Sequence, residues 1–169
     1  MFGRRSDATL VQGLSTMRRF MPYVSPRRND SLFYMMQSIE VEAALEEGVI
    51  TPDFHVFCPG HATFYGHTFA CWNKRGHGTM DLRHAIEQSC NVYFYTIANM
   101  VGVDKINKWA TLLGLGEKTG IDLPNEVEGL VPSPEWKRAR FKEKWYAGET
   151  ISVSIGQGAV SLTPVSMAV

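Results

Sequence analysis

The chain has 169 residues, of which 44% are hydrophobic and 20% charged, and its 17 basic and 17 acidic side chains give a formal net charge of zero. This length and composition are typical of one globular domain, and the balanced charge argues against a nucleic-acid-binding protein. No run approaches the roughly 18 apolar residues that cross a bilayer, and the start of the chain lacks the apolar core of a signal peptide. We therefore expect no anchor or export signal within these residues.

Residues 1–42 differ in composition from the rest of the chain. They contain six arginines in three adjacent pairs and no lysine, whereas the first lysine is Lys74. Little sustained periodicity is visible, so we interpret this segment as a loosely organised lead-in that is divergent or read in a shifted frame. A nucleic-acid-binding arm is the alternative, but no aromatic residues alternate with the arginines, and we expect no nucleic-acid partner. Residues 43–169 form the second segment.

The first signals in this second segment predict a helix end followed by strands. Gly48 follows the sequence AALEE, and Pro52 comes soon after it, which is typical of a helix that stops. Short strands are predicted at 54–57 and 68–72, in a region rich in aromatic and turn residues.

A helical run is predicted next, at 81–102, because apolar residues recur at helical spacing up to Gly102. Asp104 is then expected to cap a shorter helix. The residues that this helix buries are expected to be Ile106, Trp109 and Leu113. Beyond it, the sequence indicates extended, turn-punctuated chain up to a helix start at Pro164. A helix that starts so late indicates a domain cut short at its C-terminus, without the strands that complete its sheet.

Ser89 and Asn91 stand two residues apart in the sequence EQSCNVYFY, within the predicted helical run. A lone S-x-N pattern is weak, and two small polar residues near a helix kink or cap would explain it without chemistry. Downstream, however, the chain reads LGLGEKTGIDLPNEVEGLVPSPEW and then WYAGETISVSIGQGAVSLTP. In this order the segments resemble the penicillin-binding transpeptidases, specifically class B proteins of the rod-elongation type, over about residues 43–169.

The resemblance implies an α/β (α+β) fold of the penicillin-binding and beta-lactamase-like transpeptidase type, here incomplete, with a helical subdomain and part of the sheet. It also implies a serine D,D-transpeptidase that cross-links peptidoglycan stem peptides through an acyl-enzyme formed at D-Ala-D-Ala, and that beta-lactams acylate. In that cycle Ser89 would relay a proton and the Asn91 amide would hold the donor backbone. The parent protein would sit in the inner membrane, face the periplasm and work with rod-elongation membrane partners.

Two further motifs of that family do not appear where they are expected. S-x-x-K, which supplies a nucleophilic serine and its lysine base, does not occur, and the resemblance places Tyr34 and Gln37 at those positions. Ser15 is followed by Arg18, but arginine stays protonated and cannot serve as the base. Residues 118–120 spell K-T-G but directly precede the I-D-L-P segment, so we interpret the match as chance. We therefore predict that this chain alone does not transpeptidate.

Cys58, Cys71, His77 and Cys90 include every cysteine of the chain and offer three thiolates and one imidazole. That donor set is common at closed tetrahedral zinc sites, although the spacing does not match a zinc finger. The rod-elongation type includes proteins with a metal site at matching places, with aspartates where this chain has Cys58 and Cys71. The resemblance therefore implies a structural zinc ion at these four residues.

Alternatives remain at this stage for the cysteines, the imidazole and the function. Two cysteines could form a disulfide and leave one free, or Cys90 could be a small buried apolar residue. His61 and His67 are rival imidazole ligands, whereas His84 is expected on a helix face. The alternative function is a non-catalytic, zinc-stabilised cell-wall protein that keeps the cleft without the nucleophile.

Overall fold

The structure, a computed structural model, describes residues 31–122 and 124–168, so the predictions that fall on Ser15 and Arg18 lie outside the described residues. Helices and short strands alternate along these ranges. The helices are α1 (Ser31–Glu46), α2 (Leu82–Glu87), α3 (Asn91–Val101), α4 (Val103–Leu112), α5 (Pro134–Phe141) and α6 (Ala147–Ser154), and the strands are β1 (Val56–Cys58), β2 (His61–Phe64), β3 (His67–Ala70) and β4 (Gly78–Met80).

Helix α3 lies at the centre of the core. It packs against α1, α4 and α6 and against strand β1. Tyr93, Phe94 and Ile97 on α3 are fully buried, as are Met36 and Ile39 on α1. Because α3 is fixed on so many sides, the residues at its N-terminal end are held in place as well.

The strands form two separate antiparallel pairs. Strand β1 pairs with β4, where Cys58 lies opposite Gly78, and β2 pairs with β3 in a hairpin. Tyr65 and Gly66 turn this hairpin with φ angles of 52° and 78°, as a two-residue hairpin turn requires. Strands β1 and β3 overlap the predicted strands at 54–57 and 68–72, whereas β2 and β4 were not predicted. Helices combined with antiparallel strands agree with the predicted α+β class.

Helix α1 crosses the boundary at residue 42 that the composition indicated. It begins at Ser31, and residues 36 and 37 and 39–44 are buried, including Gln37 and Glu40. A helix buried around most of its circumference shows no apolar stripe in its sequence, so periodicity could not reveal it. Residues 31–42 are therefore helical, not loosely organised. The helix ends at Glu46 and Gly48 follows with a φ of 65°, as predicted.

The predicted helical run 81–102 is two helices, α2 and α3, separated by a turn at residues 88–90. Ser89 has a φ of 50°, and Cys90 is extended, with φ −71° and ψ 102°. A left-handed residue cannot continue a right-handed helix, so the run breaks there. Gly102, with a φ of 83°, ends α3 as predicted. It also stands at the N-cap of α4, so Asp104 lies in the first turn and is not the cap.

The last third of the described chain contains two helices where the sequence predicted extended chain. In α5, the Ser133 hydroxyl accepts the Trp136 backbone N–H at 3.1 Å and Pro134 opens the helix. That S-P-E-W sequence was a usable helix-start signal. In α6, β-branched residues favour a strand, yet Ile151 is fully buried and α6 packs against α3. Tertiary packing therefore overrides local propensity.

Two smaller predictions, on the residues buried in α4 and on a helix start at Pro164, agree with the structure only in part. In α4, Ile106 and Trp109 are buried as predicted, whereas Leu113 is only partly buried. Near Pro164 the chain makes a turn in which the Met167 N–H donates to the Thr163 carbonyl at 3.2 Å.

Within the described ranges, every helix is too short or too polar to serve as a bilayer span.

Candidate functional site

The four predicted ligand residues come together in one buried cluster. The sulfurs of Cys58, Cys71 and Cys90 and a ring nitrogen of His77 all lie within 4.8 Å of one another. His77 Nδ1 lies 3.5 Å from the sulfurs of both Cys58 and Cys71. All three cysteines are free thiols and are buried. The disulfide alternative is therefore not what this structure contains.

Two distances in this thiol–imidazole cluster are close to those expected around a tetrahedral metal ion. With zinc–sulfur and zinc–nitrogen bonds of about 2.3 and 2.05 Å, the sulfur–nitrogen edge of a tetrahedron is about 3.6 Å. Both sulfur–nitrogen distances to His77 are 3.5 Å. Three sulfur donors and one nitrogen form a closed donor set typical of structural zinc. His77 Nε2 is buried and has no hydrogen-bond partner in the part of the chain that the structure describes.

Two loops that close over each other position the cluster. The Cys71 N–H donates to the Gly60 carbonyl at 2.8 Å, and the His77 N–H donates to the Cys58 carbonyl at 3.0 Å. Gly60 and Gly76 have φ angles of 100° and 83°, and a Cβ at either would collide with the opposite loop's backbone. Only glycine permits this approach.

The pKa values of two cysteines in the cluster are shifted in opposite directions. A hydrogen bond with Cys90 lowers the pKa of Cys71 to about 4, and the same bond, together with burial, raises the pKa of Cys90. The physical cause is that the Cys90 thiol donates to the Cys71 sulfur and stabilises it as a thiolate. Thiolate is the form that binds a metal ion.

Ser89 and Asn91 lie on either side of Cys90, in the turn between α2 and α3. The Cys90 N–H donates to the Ala85 carbonyl at 2.9 Å, and the Ser89 N–H donates to the Ile86 carbonyl at 3.2 Å. Ser89 is 5% exposed. We call residues 88–91 the S-x-N turn. Because Cys90 belongs both to this turn and to the thiol–imidazole cluster, the two candidate sites share one piece of backbone.

Asn91 presents an amide that is only partly used. Its Nδ2 donates to the Tyr95 hydroxyl at 3.4 Å. Its Oδ1 is buried and has no hydrogen-bond partner among the described residues. An unpaired buried carbonyl is costly, so this oxygen is suited to accept a hydrogen bond from a bound group.

The positions that the resemblance assigned to a nucleophile and its base lie on α1. Gln37 is buried, and neither amide atom has a partner in residues 31–122 and 124–168. Glu40, one turn later, is fully buried with both carboxylate oxygens unpaired in the same ranges. Burial raises the pKa of Glu40 well above its usual value. Neither residue offers an amine base.

The K-T-G sequence at residues 118–120 lies in a loop. The Thr119 N–H and hydroxyl each donate to Glu126 at 2.6 Å, and the Gly120 N–H donates to the same carboxylate at 3.1 Å. These bonds hold the pKa of Glu126 below its usual value, through the Thr119 hydroxyl first. The loop is thus explained by local hydrogen bonding, which agrees with the interpretation of the K-T-G match as chance.

The rival imidazoles lie outside the thiol–imidazole cluster. His61 and His67 are exposed on the β2–β3 hairpin. His84 is exposed on α2, where its backbone N–H and Nδ1 both contact the Asp81 carboxylate at 2.8 Å. The Asp81 side chain thereby caps α2, and these bonds, the backbone one first, lower the pKa of Asp81.

Two further features of the structure were not predicted from the sequence. Trp72 donates from Nε1 to the carbonyls of Gln88 and Ser89, at 3.0 Å each. A buried lysine, Lys137, donates to both carboxylate oxygens of Glu149 at 2.7 Å, beside a cavity of about 360 Å³ between α5 and α6. A tryptophan directly after a cysteine and a lysine directly after a tryptophan carry no distinctive sequence signal.

Comparison with protein-family models gives a match to the one described as penicillin binding protein transpeptidase domain, over residues 38–169. The chain is 45% identical over 135 residues to the peptidoglycan D,D-transpeptidase MrdA of Acinetobacter baumannii. It is 41% identical over 127 residues to the MrdA of Escherichia coli K12. These alignments cover 79% and 74% of this chain but only 20% of each relative, so the chain spans a fifth of their length.

Solved structures give the same result for the fold. PBP2 of Pseudomonas aeruginosa in complex with WCK 5153 matches with a TM-score of 0.75 and 37% identity, over 82% of this chain and 30% of that chain. PBP2 of Helicobacter pylori in complex with MreC matches with a TM-score of 0.74 and 37% identity, over 81% of this chain and 25% of that chain. The fold class and the resemblance inferred from the sequence motifs are both confirmed.

Proposed function

Because the chain belongs to the penicillin-binding protein transpeptidase family, we propose that it supplies the central part of a peptidoglycan D,D-transpeptidase of the PBP2 type. The observation that carries this proposal is the S-x-N turn, which lies inside the matched residues 38–169 with a partly unpaired Asn91 amide. Residues 43–169 are the part we assign to the transpeptidase domain.

In the proposed reaction a nucleophilic serine attacks the terminal D-Ala-D-Ala amide of a stem peptide and releases D-Ala. The acyl group then passes to an amine of a neighbouring stem peptide. Ser89 relays the proton between the lysine base and the leaving or attacking nitrogen, and the Asn91 amide holds the donor backbone. The proposed substrates are therefore peptidoglycan stem peptides, with beta-lactams as acylating mimics.

The 169 residues alone are proposed to be inactive. They contain no S-x-x-K, so the serine nucleophile and the lysine that activates it have to come from elsewhere. The S-x-N turn and helix α3 position the substrate and transfer a proton. Both roles require the serine nucleophile and its lysine base.

The proposed partners and location follow from the relatives. The Helicobacter pylori PBP2 structure was solved in complex with MreC, and MrdA relatives carry the name peptidoglycan D,D-transpeptidase. We propose a parent protein anchored in the inner membrane, with its transpeptidase domain in the periplasm and a rod-elongation protein of the MreC kind as partner.

A structural zinc ion is proposed at the thiol–imidazole cluster, held by Cys58, Cys71, His77 and Cys90. Zinc bound there would fasten the Cys90 backbone, and with it the S-x-N turn, to the two glycine-containing loops. Metal analysis of the purified chain should give one zinc per chain, and Cys58→Ser should abolish it. His84→Ala, outside the cluster, should retain it. A metal-free wild-type protein or a disulfide found by mass spectrometry would contradict the zinc site.

A hybrid protein tests the catalytic proposal. Residues 43–168 replace the aligned segment of Acinetobacter baumannii MrdA, and acylation by a fluorescent beta-lactam is measured. We expect the hybrid to be acylated, and Ser89→Ala or Asn91→Ala to slow acylation by about 10²-fold or more. Ser152→Ala, on α6 and away from the turn, is the matched control and should acylate at the hybrid's rate.

Two outcomes would reject the proposal. A folded hybrid that is not acylated, beside an acylated parent, would favour the non-catalytic, zinc-stabilised cell-wall protein. A covalent beta-lactam adduct on the isolated 169-residue chain, detected by intact mass, would instead show that it carries its own nucleophile.

A further inference from the structure

Trp72 lies between the thiol–imidazole cluster and the S-x-N turn. It directly follows Cys71, and its indole ring packs against the His77 ring with a centroid distance of 5.1 Å and an interplanar angle of 63°. From the other side, its Nε1–H points at the carbonyls of Gln88 and Ser89, 3.0 Å from each oxygen. One side chain thus contacts an imidazole of the cluster and the backbone of the turn.

The two carbonyls that Trp72 binds belong to the part of the turn whose backbone is unusual. Ser89 has a φ of 50°, a conformation that is unfavourable for a non-glycine residue and persists only where surrounding contacts enforce it. The orientation of the Gln88 and Ser89 peptide groups sets where the Ser89 and Asn91 side chains point. A shared donor to both carbonyls therefore fixes the orientation that the side chains need.

We propose that Trp72 is a positioning residue, which holds the S-x-N turn in its strained conformation and couples it to His77. The inference deepens the proposed function and rests on it, since it explains how the Ser89 and Asn91 side chains are presented to a substrate. Cys90 supplies one connection between the cluster and the turn, and Trp72 supplies a second, through the carbonyls on the N-terminal side of Cys90. With one connection the S-x-N turn could rotate about that point, whereas two connections fix its orientation.

The rate of amide hydrogen exchange at the S-x-N turn measures how firmly Trp72 holds the turn in place. The Ser89 and Cys90 amides donate to the carbonyls of Ile86 and Ala85 on α2, so they exchange only when the turn detaches from that helix. We compare the wild-type chain with Trp72→Phe, which keeps an aromatic ring against His77 and removes the N–H donor. Trp145→Phe is the matched control, because Trp145 Nε1 donates to the Thr150 hydroxyl at 2.9 Å, in a different part of the molecule.

In Trp72→Phe, we expect the Ser89 and Cys90 amides to exchange about three- to tenfold faster than in the wild type. In Trp145→Phe they should exchange at the wild-type rate. Addition of one equivalent of Zn²⁺ should slow exchange at the turn more in the wild type than in Trp72→Phe. Equal exchange rates in the wild type and Trp72→Phe would overturn the proposal.

The design separates this inference from the proposed zinc site. If the wild type binds no zinc, the zinc site fails, and the metal-free comparison of wild type with Trp72→Phe still decides the role of Trp72. If Trp72→Phe does not fold, the indole N–H of Trp72 in the wild type provides the measurement by NMR. Exchange as slow as that of the Cys90 amide supports the proposal, and exchange at the rate of a free indole rejects it.

Discussion

The backbone N–H of His77 donates a hydrogen bond of 3.0 Å to the carbonyl of Cys58, and the side chains of the same two residues face each other at 3.5 Å. Two of the four cluster residues are therefore joined by main chain as well as by their ligand atoms. Gly76 makes this approach possible, because a Cβ there would collide with the Cys58 carbonyl. The backbone itself therefore holds Cys58 and His77 close together.

Substitution of Gly76 should for that reason weaken metal binding without removing a ligand. We expect Gly76→Ala to lower zinc affinity by about 10- to 100-fold, measured by competition with a chromophoric chelator. Gly78→Ala is the matched control, since Gly78 has a similar φ of 73° but open space where its Cβ would lie. Both substitutions carry the cost of a left-handed alanine. Equal zinc affinities in the two variants would show that the loop contact does not shape the site.

Glu40 should destabilise the fold at neutral pH. It is fully buried in α1 with both oxygens unpaired among the described residues, and burial raises its pKa well above the usual value. We expect Glu40→Leu to raise the free energy of unfolding at pH 7 by about 1–3 kcal/mol. Denaturant unfolding monitored by circular dichroism gives the value, with Glu117→Leu, at an exposed loop position, as the control.

The same carboxyl should make stability depend on pH. Because its folded-state pKa is raised, the unfolded chain releases the Glu40 proton at a lower pH than the folded chain does. The contribution of this group is therefore least unfavourable below about pH 4.3, the unfolded value, and stability falls as the pH rises from there towards the folded pKa. In Glu40→Gln this fall should disappear. An unchanged pH profile in Glu40→Gln would mean that Glu40 finds a partner in solution.

The four residues of the thiol–imidazole cluster and the S-x-N pair could be named from the sequence because they are defined by residue type and order, and the structure brings the four cluster residues together. The backbone that presents them could not be predicted in the same way. Apolar residues continue at helical spacing across Ser89, so nothing in the periodicity marks its φ of 50°. The end of helix α1 was predicted, but its earlier turns are not visible in the periodicity for a related reason: with Gln37 and Glu40 buried beside apolar residues, the sequence shows no polar face.

Helices α5 and α6 show a different limit. Lys137 on α5 is 7% exposed, although a lysine in a sequence predicts a solvated surface position. It is buried because Glu149 on α6 accepts two of its hydrogen bonds, and this partner lies twelve residues away, at a separation that no local pattern encodes. An ion pair between two helices can be recognised only when the positions of both helices in the fold are known.

Loss of this ion pair should destabilise the contact between α5 and α6. The hydrogen bond with Glu149 is the largest cause of the raised pKa of Lys137. The contribution of the charged lysine is therefore fully present at neutral pH and is lost as the pH rises above about 10.4 and through the raised pKa. We expect Lys137→Met to lower the melting temperature at pH 7 more than Lys144→Met does. Both lysines lie over the Tyr146 ring, at 4.6 and 5.6 Å, so the comparison controls for the contact with that ring. Equal melting temperatures would show that the pair contributes nothing.

Lys118 provides the sharpest test of which short motifs carry chemistry. It begins a K-T-G sequence, but Thr119 and Gly120 donate their hydrogen bonds to the Glu126 carboxylate within the same loop. In the hybrid with Acinetobacter baumannii MrdA, Lys118→Ala should therefore leave the rate of beta-lactam acylation unchanged, whereas Ser89→Ala should slow it about 10²-fold or more. Glu126→Gln serves as a control for the loop itself, because it weakens the loop without touching the lysine. Slower acylation in Lys118→Ala but not in Glu126→Gln would assign the lysine a direct role and would contradict the interpretation of this motif as chance.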